Sequence, residues 1–401
     1  MFPRYITKAN FEDRLKKISL ILKTYLPLFS SWDMDAIGGD QVNHKWLDQL
    51  SSMTKDDLAQ FDANRKYSNL DDPLWMDLQD EIKELSRFSS SSLVPNRIQT
   101  IGNQKKQHEL NQLFELLIND QKKTAFDFGG GVGNLAYFLE KELEMDSRVI
   151  EKDHKLIESG KIKLSKLTPP SKLSFYQEDI KSESKMPFLM DSDMAIGLHT
   201  CGNFATNMFR VCANHKVKKI VNFGCCYSKI EGDEYNLSSA SDKSLLLNSR
   251  ALSCATLGFE KVPIEFYDYR CKIMDYKYSL YHWVYLNHGS TDFKPMSNSR
   301  RSLYKLDFEE FSKMTLTKFF SDIPIPKLGE LNTFFQTQKN QSLLKYFKSY
   351  YALSRYFGPL IESYILCDRA LFLKEKNYNV DIIEVFDPSL SPRNKAIIAT
   401  L

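Results

Sequence analysis

The chain has 401 residues, of which 42% are hydrophobic and 13% aromatic, and its 54 basic and 51 acidic residues give a net charge of +3. This length predicts one large elaborated domain or two to three packed units, and the composition excludes low-complexity disorder over most of the chain. A charge so close to balance neither requires nor excludes nucleic acid as a partner.

Membrane, secretory and disulfide signals are weak. No apolar run approaches the length of a membrane span, and the stretch 6–29 is broken by charged residues. Seven cysteines without a C-x-x-C pair argue against a disulfide framework or a ribbon-type zinc site. We therefore expect a cytoplasmic protein with no membrane partner, while the nucleus and the mitochondrion stay open.

The first 95 residues are predicted to form a helical N-terminal unit. Residues 10–26 carry apolar side chains at helical spacing, and further short helices are indicated up to about residue 88. The serine run 89–92, followed by Pro95, indicates a boundary.

Strands and helices alternate after residue 95. A helix is predicted over 104–119, and five short apolar runs follow, which are Thr124–Phe128, Arg148–Ile150, Leu173–Tyr176, Met194–Leu198 and Lys219–Phe223. This rhythm predicts βαβ units and a mostly parallel sheet over 96–230. Residues 231–350 lose it and are predicted to be a mainly helical insertion, and 351–401 to supply a last helix and a terminal β-hairpin.

A glycine-rich turn follows the first predicted strand. Asp127 is followed by three glycines at alternate positions, Gly129, Gly131 and Gly133, with an extra glycine at 130 that loosens the loop. Such glycines permit a tight turn before a helix whose first N–H groups are free. Glu151 ends the next strand 18 residues after Gly133, where a carboxylate can accept hydrogen bonds from ribose hydroxyls. These five residues predict a nucleoside cofactor pocket.

Two cofactors fit this loop. Residues 131–136 also satisfy the dinucleotide fingerprint G-x-G-x-x-[GA], so the motif alone is also compatible with an NAD-binding site. However, Asp127 directly before the glycines would repel a pyrophosphate, whereas it suits a cationic amino-acid group. The D-x-G-x-G-x-G arrangement is the one that class I methyltransferases use, so we predict S-adenosyl-L-methionine (SAM).

Polar and reactive residues follow the later predicted strands, where open α/β sheets bind ligands. Asp179 is a candidate for the adenine amino group or a helix cap. His199, Cys201, Cys225 and Cys226 suggest a metal site, a cysteine nucleophile beside a histidine base, or cysteines that pack as small apolar side chains around the pocket. The spacing matches no common zinc motif, so we predict no metal and expect His199 to face the substrate.

Three polar residues precede the first strand of the predicted core. Lys105, His108 and Glu109 lie three and four positions apart, which puts them on one helical face opposite the apolar stripe. They are either surface charges or ligands, and we predict Lys105 and His108 as candidates for binding the cofactor.

The chain resembles the methyltransferase-like twenty-five family, some of whose members are labelled ribosomal-RNA-adenine-dimethylase-domain-containing proteins. The segments that carry the resemblance are the glycine loop, a K-K-x-H-E element at 105–109, L-H-T-C-G at 198–202, G-C-C-Y at 224–227, and F-D-P-S-L-S-P-R-N at 386–394. The resemblance covers about residues 95–401.

This resemblance implies a class I, Rossmann-like methyltransferase that uses SAM. The helix predicted over 359–376 and the strands over 380–386 and 395–400 would complete a seven-stranded sheet whose last strand is antiparallel. Adenine amino methylation commonly uses an [N/D]-P-P-[Y/F/W] loop after the fourth strand, and His199-Thr200-Cys201-Gly202 stands there instead. A different acceptor, or a different way of holding it, is expected.

The acceptor is predicted to be a macromolecule, with ribosomal or transfer RNA preferred. The insertion mixes cations with aromatic residues, which suits phosphates and base stacking, although a solvated helical surface explains them as well; they are Lys272, Lys277, Arg300, Arg301 and Lys305 among Tyr276, Tyr278, Tyr281 and Tyr304. His199 would orient the acceptor or take its proton. The alternatives are a protein side chain as acceptor, or a non-catalytic SAM-binding assembly factor. The sequence is also compatible with a partner subunit.

Overall fold

The computed structural model describes residues 10–64, 70–92, 103–121, 123–167, 170–190, 192–256, 264–290 and 301–401. The α-helices are α1 Phe11–Thr24, α2 Pro27–Ser30, α3 Asp33–Gly38, α4 Lys45–Ser52, α5 Lys55–Asn64, α6 Pro73–Leu85, α7 Gln104–Leu117, α8 Asn134–Leu143, α9 His154–Ser165, α10 Asn203–Asn214, α11 Ser249–Thr256, α12 Ile264–His288, α13 Phe308–Phe319, α14 Glu330–Phe335, α15 Gln338–Tyr356 and α16 Gly358–Glu375. The strands are β1 Ser89–Ser90, β2 Thr124–Phe128, β3 Asp146–Glu151, β4 Ser174–Gln177, β5 Met194–Cys201, β6 Lys219–Cys225, β7 Asn379–Glu384 and β8 Lys395–Thr400.

The chain forms two compact units. Unit 1 comprises residues 1–24, 79–260 and 358–401, and unit 2 comprises residues 25–78 and 261–357. These bounds differ from the boundaries predicted at 95, 230 and 350, because helical periodicity identifies a helix and not the neighbour that buries it. Helix α1 packs on α16 within unit 1, whereas α2 and α4 pack on α15 within unit 2.

Unit 1 is built on one eight-stranded sheet with the order β1-β7-β8-β6-β5-β2-β3-β4. Strand β8 is antiparallel to β6 and β7, and the other pairs are parallel. The predicted fold class, a mostly parallel Rossmann-like sheet ending in an antiparallel strand, is confirmed. The eighth strand is β1, in which Ser89 and Ser90 pair with β7 where the serine run indicates a boundary.

The sheet core explains why the central strands read as short apolar runs. Strands β2 and β6 are buried along nearly their whole length, which is typical of a parallel sheet covered by helices. Ala125 of β2 and Val221 of β6 share a hydrophobic cluster with Leu113 of α7 and Leu139 of α8. Strand β2 lies between β3 and β5, so the order reverses there, and ligands bind at such a switch point beyond the carboxyl ends of the strands.

Unit 2 buries the tyrosines that the sequence suggested as part of an RNA-binding surface. Tyr276, Tyr278, Tyr281 and Tyr304 are at most 7% exposed and belong to the core around α12. The Tyr278 ring stacks on that of Phe347 at 4.0 Å between centroids. The prediction that these tyrosines stack on bases is wrong, because α12 is surrounded by α3, α13 and α15 and packs its aromatics inward.

The cations of that predicted surface are only partly described. Lys272 and Lys277 lie over the rings of Tyr276 and Tyr278, at 5.1 and 5.4 Å from the ring centroids. Position 300 and the side chain of residue 301 lie outside the described residues. The two lysines therefore cover core rings of unit 2, and these buried rings are not available to stack on RNA bases.

Two expectations concern membranes and disulfides. Among the described helices, none combines the length and the apolar character needed to span a bilayer. All seven cysteines lie in the described ranges, and each is a free thiol.

Candidate functional site

The glycine loop closes on Glu151, whose predicted role towards ribose hydroxyls stays a prediction. Gly129, Gly131 and Gly133 have φ angles of 70°, 55° and 80°, a left-handed region that residues other than glycine rarely adopt. The Gly131 N–H donates to Glu151 Oε2 at 3.0 Å. Glu151 Oε1 accepts two more backbone hydrogen bonds at 2.9 Å, from the residues that follow it. The end of β3 is thereby fixed against the turn that follows β2.

Asp127 supports the loop from below. Asp127 is 3% exposed, and a Cβ atom on Gly130 would lie 2.5 Å from Asp127 Oδ2, which explains why a fourth glycine stands at position 130. Burial raises the pKa of Asp127 to about 7, against a hydrogen bond from the Ala136 backbone that lowers it. Asp127 Oδ2 has no hydrogen-bond partner among the described residues. Its direct contact with a cofactor stays a prediction.

His199 lies in a β-bulge near the end of β5. Its φ angle is 64°, and the pairing of β5 with β6 shifts between Leu198 and Thr200. A left-handed histidine costs conformational energy and is retained where its side chain must be aimed. The bulge turns the 30% exposed imidazole towards α7, where Nε2 lies 3.0 Å from Glu109 Oε1.

Glu109 connects three segments that are distant in sequence. Its Oε1 accepts a hydrogen bond of 2.6 Å from the Ser391 hydroxyl, and Lys105 Nζ lies 3.5 Å away. Burial alone would raise the pKa of Glu109, but the contacts with His199, Ser391 and Lys105 lower it below its usual value. The buried carboxylate is therefore held ionised beside the imidazole.

The face of α7 that the sequence suggests is exposed is in fact largely buried. His108 is 5% exposed, and its Nε2 accepts a hydrogen bond of 2.9 Å from the Asp387 N–H. Burial lowers the pKa of His108 and so favours the neutral ring that can accept this bond. His108 thus anchors the loop between β7 and β8, and its predicted role in binding the cofactor stays a prediction.

Three cysteines meet at the ends of β5 and β6. Cys201 Sγ lies 3.1 Å from Cys225 Sγ, and the sulfur atoms of Cys201, Cys225 and Cys226 lie within 4.8 Å of one another. The hydrogen bond from the Cys225 thiol lowers the pKa of Cys201, and the same bond raises the pKa of Cys225. Cys225 is buried, while Cys201 and Cys226 are partly exposed.

Two features of the site escaped the sequence reasoning. Phe204 of α10 covers the glycine loop, since a Cβ atom on Gly129 would lie 3.0 Å from its ring. Ser391 reaches Glu109 from the terminal hairpin, and the S-P-R-N segment was the available signal. Asp179, by contrast, is exposed two residues beyond β4, and its role towards adenine stays a prediction.

The loop suits a nucleoside cofactor on its open side. A Cβ atom on Gly131 would meet nothing nearer than Leu156 Cδ1 at 4.0 Å, so any side chain there would fill the space above the turn. The Glu151 carboxylate borders this space, and Asp127 Oδ2 offers an unused acceptor below it. An acidic site of this kind fits a cationic cofactor better than a pyrophosphate.

Comparison with known proteins agrees with this geometry. Residues 105–233 match a sequence family described as a methyltransferase domain. The human and mouse proteins named probable methyltransferase-like protein 25 are 25% and 23% identical over 240 and 239 residues, which is 52% of this chain in each case. The match covers 37% of the human protein and 38% of the mouse protein, so the chain spans well under half of these relatives.

Similarity to solved structures is confined to part of the chain. The methyltransferase domain of a bacterial Hen1 is 17% identical, with 29% of this chain and 65% of that chain covered and a TM-score of 0.26. TrmK of M. capricolum, solved with S-adenosyl-homocysteine, is 14% identical, with coverage of 28% and 50% and a TM-score of 0.23. The fold assignment therefore rests on the strand order and the family match. Residues 105–233 thus match a methyltransferase domain within a Rossmann-like sheet, the chain is similar to the methyltransferase-like 25 proteins, and SAM is the cofactor that this match indicates.

Proposed function

We propose that the protein is a SAM-dependent methyltransferase acting on a macromolecule, with RNA as the first acceptor to test. The observation that carries the proposal is the meeting of two features at the sheet edge. One is a glycine loop closed on Glu151, and the other is a bulged His199 paired with a buried glutamate. The contact of Phe204 with Gly129 joins them, because Phe204 lies in the first turn of α10, which follows β5 after one residue.

The chain's own residues would hold the cofactor and the acceptor. The open space above Gly131 and the Glu151 carboxylate would hold the nucleoside, and Asp127 would keep the loop in shape. SAM, when bound, supplies an electrophilic methyl group, so the protein mainly has to bring the acceptor close in the right orientation.

His199 would take the proton from the acceptor. Its imidazole is partly exposed, and the ionised Glu109 behind it would stabilise the imidazolium that forms. Glu109 is a positioning residue in this scheme, since it is buried and acts through His199.

An exposed group of lysines supports RNA as the acceptor. In and around α9, directly after Glu151, the exposed cations are Lys152, Lys155, Lys161, Lys163 and Lys166. Acidic residues are fewer there, with Lys161 paired to Glu158. A cationic strip beside the pocket favours phosphates. We also propose the cytoplasm as the compartment, since an odd number of cysteines without a C-x-x-C pair is typical of a reducing environment.

Cofactor binding is tested by Gly131→Leu. Leucine would fill the open side of the loop, so SAM binding measured by calorimetry should be lost while the far-UV circular dichroism spectrum is kept. The matched control is Gly232→Leu, because Gly232 also has a positive φ angle and open surroundings. If Gly131→Leu binds SAM as tightly as the control, the pocket assignment is wrong.

The acceptor class is tested with labelled SAM and extracts from cells that lack the protein. We expect label in the RNA fraction with the wild type and none with Gly131→Leu. Label in protein would make a side chain the acceptor. SAM binding without label in either fraction would refute the activity in isolation and favour a non-catalytic role or a missing partner subunit.

The role of His199 is tested on the labelled fraction. His199→Gln should lower turnover by about 10²–10⁴-fold, the range of a general base, with the dissociation constant of SAM unchanged. Glu109→Gln should lower turnover less than His199→Gln does, and it should shift the dependence of turnover on pH. Equal turnover in wild type and His199→Gln would remove the proton-transfer role.

RNA binding is tested by its salt dependence. Changing Lys155 and Lys166 to alanine should weaken binding to ribosomal RNA and flatten the slope of log affinity against log salt. The matched control changes Lys339 and Lys345 of α15, which are equally exposed. Identical slopes for both double variants would exclude the α9 strip from RNA contact.

A further inference from the structure

The three-cysteine cluster is built by two loops that are locked together. Gly202, directly after Cys201, has a φ angle of 55°, and a Cβ atom on it would lie 2.4 Å from the Lys229 carbonyl oxygen. Cys226 also adopts a left-handed conformation, with φ of 48°. Both loops are thus held in uncommon backbone conformations that bring three sulfur atoms to one point.

The spacing of the sulfur atoms suits a soft cation. Zinc binds thiolates at about 2.3 Å, so sulfur ligands around a tetrahedral zinc lie about 3.8 Å apart. In this cluster the Cys201–Cys225 distance is 3.1 Å and every pair lies within 4.8 Å. Small side-chain adjustments would therefore place all three around one ion. The H-x-C and C-C spacings fail to predict this because the two motifs meet only in the folded sheet.

A buried arginine provides charge for such a cluster. Arg369 is 1% exposed, and its Nε and Nη1 atoms have no hydrogen-bond partner in the described part of the chain. A Cβ atom on Gly224 would lie 2.9 Å from Arg369 Nη1, so the guanidinium packs against the backbone directly before Cys225. Three thiolates around a divalent ion carry one excess negative charge, which this cation would offset.

We propose that Cys201, Cys225 and Cys226 bind one soft divalent cation, Zn²⁺ in the cell, through three thiolates, with the fourth position open. Two of the three thiols are partly exposed, so a water molecule or a group of the acceptor can reach that position. Three protein ligands with an exchangeable fourth site are the arrangement of catalytic rather than structural zinc. Metal binding stands independently of the proposed methyl transfer, whereas a role in binding the acceptor rests on it.

The test is metal content and cobalt spectroscopy of the full chain. Protein purified with Zn²⁺ and a reductant should hold about one zinc per chain by mass spectrometry, and Co²⁺ should give thiolate charge-transfer and tetrahedral ligand-field bands. Cys226→Ser and Cys201→Ser should lose the zinc and the bands. The matched control is Cys212→Ala, a fully buried thiol of α10, which should keep both.

Separate readouts distinguish this proposal from the proposed function. Cysteine variants should still bind SAM, and Gly131→Leu should still bind Co²⁺. Zinc that persists in both cysteine variants, or a wild type without zinc that carries a Cys201–Cys225 disulfide, would overturn the proposal. Loss of zinc with intact circular dichroism and SAM binding would establish it.

Discussion

Asp127 offers the most quantitative prediction, because its carboxyl group is buried beneath the glycine loop. The change is Asp127→Asn, which keeps the shape of the side chain and its acceptor for the Ala136 N–H, and removes the titration. We expect the wild type to lose stability with rising pH in a way that the variant does not.

The magnitude follows from the raised pKa. The folded state holds the proton up to about pH 7, whereas the unfolded chain releases it near the ordinary value of 3.8. The contribution of Asp127 to the free energy of unfolding is fully present below pH 3.8. It falls as the pH rises from 3.8 to 7, because the folded state binds more protons than the unfolded state in this interval. At about 1.4 kcal/mol per pKa unit, the full window amounts to about 4 kcal/mol, and the interval from pH 5 to 8 to about 3 kcal/mol.

The assay must report on unit 1. All four tryptophans lie in unit 2, so their fluorescence serves as the internal control and should respond to pH alike in both proteins. Hydrogen–deuterium exchange of a peptide covering β2 is followed at pH 5 and 8, with correction for intrinsic exchange rates. The wild type should lose about 3 kcal/mol more protection than Asp127→Asn. Equal pH dependence of the two proteins would mean that the buried carboxyl group is ionised throughout.

Two further changes test the packing of each unit. Gly202→Ala should destabilise unit 1 by several kcal/mol, because the added Cβ atom meets the Lys229 carbonyl oxygen. The control Gly232→Ala should cost only about 1 kcal/mol of backbone strain. Equal melting temperatures of the two variants would refute the contact. In unit 2, Asp62→Ala leaves the buried Arg355 without its carboxylate partner and should cost about 3–5 kcal/mol in chemical denaturation followed by tryptophan fluorescence. A loss below about 1 kcal/mol would show that this pair is solvated.

The sheet was accessible to sequence reasoning, and the unit boundaries were not. Residues 124–128 and 395–400 were predicted with the bounds that the structure has, because both runs are short, apolar and flanked by polar turns. The tyrosines around 276 were misjudged, since aromatic residues between lysines look alike on a surface and in a core. What decides their burial is the set of helices that surrounds α12, and these come from distant parts of the chain.

The sequence singled out residues of the candidate site but did not predict the contacts between distant ones. Glycine spacing identifies the loop and Glu151, because both follow from local backbone requirements. The pairing of His199 with Glu109 depends on a bulge that reverses the side-chain direction at a single position, and strand periodicity contains no signal for it. The cysteine cluster likewise arises where β5 and β6 lie side by side.

The anchoring of α7 by the terminal hairpin has a consequence for how the protein is made. Ser391 bonds to Glu109 across 282 positions, and Asp387 bonds to His108 across 279. A ribosome delivers the glycine loop and the bulged histidine long before it delivers this hairpin. The nascent chain therefore leaves Glu109 and His108 without these partners until residue 391 has left the exit tunnel, and a message cut short before that codon would yield a chain that lacks both contacts permanently.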